Sequence, residues 1–145
     1  MKPIERIVSL APSMTEILYA LGLGRRVVGV TALCNYPPEA RQKPKVGDAN
    51  ISPEKVVALK PDLVVAHAVL NARVIPTLQR LGLRVMSANP NTFEKLFDFM
   101  LALGRTCGVE SQARRVVSRL QERVNRVAAN TRQRRRRPRV LFAIS

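Results

Sequence analysis

The segment ISPEKVVALKPDLVVAH, residues 51–67, constrains this chain more than any other, because it carries the start and stop signals of a complete helix-to-strand unit. Ser52 is a good N-cap, Pro53 suits a first helical position whose N–H has no partner in any case, and Glu54 faces the positive end of the helix dipole. The helix is expected to begin at Pro53, with Val56, Val57 and Leu59 as its apolar side, and to end at Lys60-Pro61. Leu63, Val64, Val65 and Ala66 then form a short apolar run typical of a parallel strand buried on both faces. His67, the one histidine of the chain, stands where that strand runs out. In an open parallel α/β sheet ligands collect at the carboxyl ends of the strands, so His67 is a candidate contact.

The same grammar extends along the chain. Residues 6–10 read as a first buried strand, and Ala11-Pro12-Ser13 turns it into a helix expected to be capped by Ser13, with Glu16 completing a capping box. Ile17, Leu18 and Leu21 form its inner stripe. Gly22 and Gly24 are stop signals, and residues 27–30 make a second strand. Residues 31–50 are polar and Pro-rich; a connection of that length inside a compact domain is usually functional. Residues 71–81 read as a helix that Pro76 should kink or shorten, and residues 83–87 as a further strand. Asn91 or Thr92 caps the next helix, whose apolar face is Phe93, Leu96, Phe97, Met100, Leu101 and Leu103, interrupted by Gly104 and Gly108. From 110 to about 130, Ala113, Val116, Val117, Leu120, Val124 and Val127 recur at helical spacing, giving a helix of roughly 30 Å. Residues 131–138 are a basic break. Residues 139–144, RVLFAI, read as another strand, more like the opening of a second lobe than the closing of a first.

At 145 residues this is one ordinary domain that needs no disulfides to fold. The formal net charge of +15 lies mostly after Arg105 and favours phosphates, anionic headgroups or acidic protein surfaces. Cys34 and Cys107 are too few for a disulfide scaffold; free thiols, one pair, or a metal ligand with a bystander all remain open. Metal binding by Cys34, Tyr36 and Asp48 would require convergence with His67, and no recognised ligand spacing is present. No apolar run is long enough to span a membrane, and the start MKPIERIVSL lacks the features of a secretory signal. A cytoplasmic protein or a sequence written from a mature start both fit. No Gly-rich phosphate loop and no nucleophile–base–acid set can be named, which argues against an enzyme.

The string RIVSLAPSMTEILYALGLGRRVVGVT, followed by CNYPPEARQKPKVG and SPEKVVALKPDLVVA, resembles the amino-terminal lobe of the substrate-binding proteins of ABC importers for cobalamin, iron-siderophores and haem, most closely the cobalamin branch. The resemblance covers about residues 4–109. It implies an α/β, Rossmann-like lobe at 1–108 with a central parallel sheet flanked by helices, an inter-lobe backbone helix at 109–131, and a basic linker with the first strand of a missing second lobe at 132–145. It also implies a metal chelate as transported ligand, no resident cofactor, an ABC permease as partner and an extracytoplasmic location. Ligand-binding positions carried over are Pro12, Leu33, Tyr36 and His67, and Glu54 matches the docking carboxylate. The family's cleft aromatics fall at Leu33, near Ala49 and at His67, none of which carries an indole or phenol; Tyr36 is retained. A haem or other chelate with His67 or Tyr36 approaching the metal is therefore a variant to test.

Two other readings belong to different classes. The run of arginines at 132 and 134–137 could bind a phosphate backbone, although it lacks interleaved aromatics for base stacking, so no specific nucleic acid is expected. Its charges could also rest on an anionic membrane surface. Alternatively, two single lobes could pair as a homodimer, covering the terminal strand.

Overall fold

A computed structural model describes residues 2–143. In chain order the elements are β1 (Ile7–Ser9), α1 (Pro12–Ala20), β2 (Val27–Gly29), α2 (Pro53–Ala58), β3 (Leu63–His67), α3 (Ile75–Arg80), β4 (Val85–Ala88), α4 (Phe93–Thr106) and α5 (Glu110–Arg132), with 3-10 turns at Gly24–Arg26 and Pro38–Gln42. The strands form one parallel sheet in the order β2-β1-β3-β4. Neighbouring side chains on a strand point to opposite faces. Ile7, Leu63 and Val65 accordingly join the core built with α1, α4 and α5, while Val8, Val64 and Ala66 join a second core with Val56 of α2 and Leu78 of α3. Both faces are covered, which is why β3 reads as an unbroken apolar run.

The 51–67 unit forms as its signals require. Ser52 Oγ accepts the Lys55 N–H at 3.3 Å, and Pro53 opens α2. At its other end the Arg6 guanidinium donates to Leu59 O at 2.7 Å and Lys60 O at 3.3 Å, satisfying carbonyls that the helix leaves free. Asp62 then fixes the entry into β3, accepting the N–H groups of Glu5 (3.0 Å) and Arg6 (2.9 Å) and pairing with Lys2 Nζ at 2.8 Å. Val57 is exposed, so only Val56 and Leu59 of the expected stripe face inward; a six-residue helix turns too little of its surface to the sheet for all three.

Several boundaries differ from expectation for identifiable reasons. Ser13 does not cap α1. Ala11, in extended conformation, is the N-cap, Pro12 takes the first helical position, and no side chain caps the end. The fixed φ of Pro12 sets the boundary one residue ahead of Ser13. The helix expected at 71–81 is shortened at Pro76: α3 runs only over Ile75–Arg80 with Pro76 in its first turn, where proline is tolerated, and residues 71–74 form turns instead. Thr92 is the cap of α4, with Thr92 Oγ1 accepting Lys95 N–H at 3.1 Å.

Gly104 does not interrupt α4. It lies inside the helix where α5 crosses, and a Cβ there would sit 2.4 Å from the Cβ of Ala113. Phe93 leaves the expected apolar face, standing exposed and stacked on Phe97 with ring centroids 6.2 Å apart. On α5, Ala113 and Val117 are buried while Val127 is exposed, because the helix outruns the body that covers its first half. The expected strand at 139–144 does not form over residues 139–143; Val140, Leu141 and Phe142 lie exposed. Strand backbone needs a neighbour's hydrogen bonds, and none of the described residues supplies one. Ile144 lies outside the described residues.

Candidate functional site

In the order β2-β1-β3-β4 the chain moves from β1 to one side, then crosses to the other side to lay β3. The loops leaving β1 and β3 therefore diverge, opening a crevice at their carboxyl ends, where open parallel sheets bind ligands. The two strands are in register at Ser9↔Val65, and Leu10 N–H extends the ladder to Val65 O at 2.9 Å. Pro12 and His67 lie three and two residues beyond that pair. Pro12 is half-buried at the start of α1, and His67 is the last residue of β3.

His67 is held by its own turn. Its Nδ1 accepts the backbone N–H groups of Val69 at 3.2 Å and Leu70 at 3.3 Å, and its backbone N–H donates to Asn71 Oδ1 at 2.8 Å. The Asn71 amide in turn donates to Leu10 O at 3.0 Å. One buried side chain thus joins the exits of β1 and β3. The turn it secures presents Val69 and Leu70 to solvent, 61% and 69% exposed, beside a cavity of about 440 Å³ shared with residues 49–51. Neither the role of Asn71 nor this apolar pair was among the predicted site residues. The signal available was two large aliphatic residues directly after a strand, where a turn would ordinarily be polar.

The loop leaving β2 is pinned from beneath. Thr15 Oγ1 lies 2.8 Å from Ser9 Oγ and 3.1 Å from Cys34 Sγ, and Thr31 Oγ1 lies 3.2 Å from the same sulfur. Cys34 is therefore a buried partner of two hydroxyls, so it does not converge with Tyr36, Asp48 and His67 on a metal. No group of three or more His, Cys, Asp or Glu gathers among the described residues. Leu33, on the same loop, is 56% exposed. Tyr36 is also exposed but lines a different cavity, of about 810 Å³, with Ile17, Tyr19, Leu96, Met100 and Leu120. Pro12 and Leu33 thus follow the carboxyl ends of β1 and β2 and His67 ends β3, but none of the three lines the cavity of Tyr36 or that of Val69 and Leu70.

Glu54 projects from the first turn of α2, exposed, and accepts Ser52 O–H at 3.0 Å. Its own backbone N–H, then the Ser52 hydroxyl, hold its carboxyl below the usual carboxylate range. Because α2 runs back against the direction of β3, its amino end lies toward the strand exits, and Glu54 presents a fixed negative charge on that side. Asp48, in the preceding loop, is likewise held low, chiefly by the Asn50 N–H at 2.9 Å.

A family model described as periplasmic binding protein matches residues 7–144. The chain is 43% identical over 120 residues to an uncharacterized ABC transporter substrate-binding lipoprotein of Bacillus subtilis, covering 80% of this chain and 38% of that protein. It is 40% identical over 103 residues to a vitamin B12-binding protein of Vibrio cholerae, covering 70% and 37%. Among solved structures, the periplasmic vitamin B12 binding protein of Vibrio cholerae superposes with a TM-score of 0.84 at 32% identity, over 90% of this chain and 52% of that one. A periplasmic heme binding protein from Pseudomonas aeruginosa gives 0.79 at 28%, over 90% and 50%. The chain thus spans well under half the length of these curated relatives.

Proposed function

The chain belongs to the periplasmic binding protein family, and from that membership we propose that it forms the amino-terminal wall of a cleft that carries a bulky metal chelate to an ABC permease. The reading treats residues 1–108 as the ligand-binding lobe, α5 within 109–131 as the backbone helix to a second lobe, and residues 132–145 as its approach. The site of action is outside the cytoplasm, as the names of the periplasmic and lipoprotein relatives suggest. The role is carriage without covalent chemistry.

What supports this proposal is the switch point between the exits of β1 and β3, where His67 ends its strand and Val69 and Leu70 stand exposed on a cavity of about 440 Å³. Large aliphatic side chains left in solvent beside a crevice suit a large, partly apolar ligand. Where relatives are named for vitamin B12 and for heme, aliphatic residues and one imidazole at these positions favour the same broad class through different contacts. Glu54 is assigned to docking, since it matches the family's docking carboxylate and is charged, exposed and outside the lining of both cavities. The arginine-rich segment is not favoured as the seat of function, because the crevice lies elsewhere.

Titrating the chain with cyanocobalamin, haemin and a ferric siderophore, by equilibrium dialysis, tests the reading. Saturable binding of one of them, weakened about 3- to 10-fold by Leu70→Ser, is the expected result. Failure of all three to saturate, or indifference to changes at Leu33, Val69 and Leu70, would sink it.

A further inference from the structure

The hydrogen bonds around His67 decide what its imidazole can offer a ligand. A neutral imidazole has one N–H and one lone pair, and two N–H groups cannot face each other. Nδ1 lies within 3.3 Å of two backbone N–H donors, Val69 and Leu70, so the lone pair is on Nδ1 and the hydrogen on Nε2. No protein acceptor takes that hydrogen among the described residues.

Resting on the cleft reading above, we propose that His67 meets the cargo as an Nε2–H hydrogen-bond donor and not as an axial ligand to its metal. The ligand feature it recognises is an oxygen acceptor, a carboxylate or amide carbonyl on the periphery of the chelate. Coordination through Nε2 would need the lone pair there and the hydrogen on Nδ1. That tautomer sets three N–H groups against one another at the turn and leaves Val69 and Leu70 without their acceptor. Each lost bond weakens binding about 3- to 10-fold, so both together oppose coordination by about one to two orders of magnitude. The turn is also not free to yield. Asn71 holds the backbone of His67 from one side and Leu10 from the other, and it is itself buried. His67 is thereby a specificity-determining residue, selecting acceptor-bearing chelates by the edge of the ligand.

Because His67 is the single histidine of the chain, the assignment is directly readable. A two-bond 1H–15N correlation spectrum of the 15N-labelled chain in mildly alkaline buffer reports the tautomer without any ligand. The expected pattern is a pyridine-like Nδ1 and a pyrrole-like Nε2. Haemin and aquocobalamin are the probes for the second arm. Expected are absorption and EPR spectra free of imidazole coordination, affinity kept within about threefold in His67→Gln, which retains a donor, and a loss of about 3- to 10-fold in His67→Phe. A pyrrole-like Nδ1 overturns the proposal and leaves the cleft reading standing. A low-spin haem signal that disappears in His67→Gln overturns it too. If neither probe nor a ferric siderophore binds saturably, the cleft reading fails and the proposal with it, whatever the tautomer.

Discussion

The side-chain amide of Asn71 donates to the carbonyl of Leu10 at 3.0 Å, across 61 positions of sequence, while its oxygen accepts the backbone N–H of His67. Asn71→Leu keeps the branched outline but leaves the His67 N–H and the Leu10 carbonyl without partners in a buried setting, each at a cost of about 1–3 kcal/mol. Unfolding in urea should show a loss of about 2–6 kcal/mol. Asn71→Asp should fare no better, since its oxygen would face the Leu10 carbonyl. A change below about 0.5 kcal/mol in either variant would show that the two strand exits are not joined through this residue.

Gly104→Ala should destabilise the chain despite the better helix propensity of alanine. The propensity gain is about 1 kcal/mol, whereas the added methyl would meet the buried Cβ of Ala113 at 2.4 Å. Overpacking of this kind costs about 1–3 kcal/mol, so the net change should be a loss. Thermal unfolding of Gly104→Ala beside the double variant Gly104→Ala/Ala113→Gly separates the terms, with the double variant recovering part of the loss.

Asp62 should give the stability curve an acid limb. The Lys2 ammonium first, then the Glu5 N–H, hold its carboxyl below its ordinary value of 3.8. A folded-state value below the unfolded one means that the stabilisation is fully present above about pH 4 and is lost as pH falls through the folded value. Asp62→Asn should therefore lose stability near neutral pH and show a shallower decline below pH 4. Equal slopes for both proteins in an acid titration followed by circular dichroism would count against this assignment.

Both thiols should resist modification in the native protein. Cys34 is 1% exposed and Cys107 4%, and burial pushes the Cys107 thiol up, which lowers its thiolate fraction further. Reaction with an aromatic disulfide reagent should proceed only as fast as the chain opens, and promptly in denaturant. A fast stoichiometric burst under native conditions would contradict the burial of these residues.

Ser52→Ala should cost about 0.5–2 kcal/mol through loss of the α2 cap, while Glu54→Ala should change stability by less than about 0.5 kcal/mol. If Glu54 serves docking, Glu54→Ala should leave chelate affinity unchanged and weaken only the interaction with permease. Altered chelate affinity in Glu54→Ala would move this residue into the cleft.

What the sequence discloses about this fold follows the range of the interactions involved. The α2–β3 unit was legible because Ser52, Pro53 and the Lys60-Pro61 stop act within a few residues of themselves. The parallel, doubly covered sheet was legible from the unbroken apolar run at Leu63, Val64, Val65 and Ala66. Ser13 misled because two local signals competed and the ring of Pro12 prevailed over a hydroxyl one position later. Gly104 misled because its meaning depends on Ala113 in another helix. At the candidate site, only His67 was legible from the residues as a strand-exit position; Pro12 and Leu33 came from the family resemblance, and Asn71 from neither, since no local pattern announces a partner as distant as Leu10. The separation of Tyr36 from His67 was equally hidden, since loop residues carry no periodicity to give their direction.

The hydroxyls of Ser9, Thr15 and Thr31 and the sulfur of Cys34 lie directly under two of the loops that border the crevice. Directional bonds of this sort fix loop shape more tightly than greasy contacts, which tolerate sliding. The exits of β1 and β2 are consequently cast in one shape; on the proposed reading, a guest meets a mould that is already set.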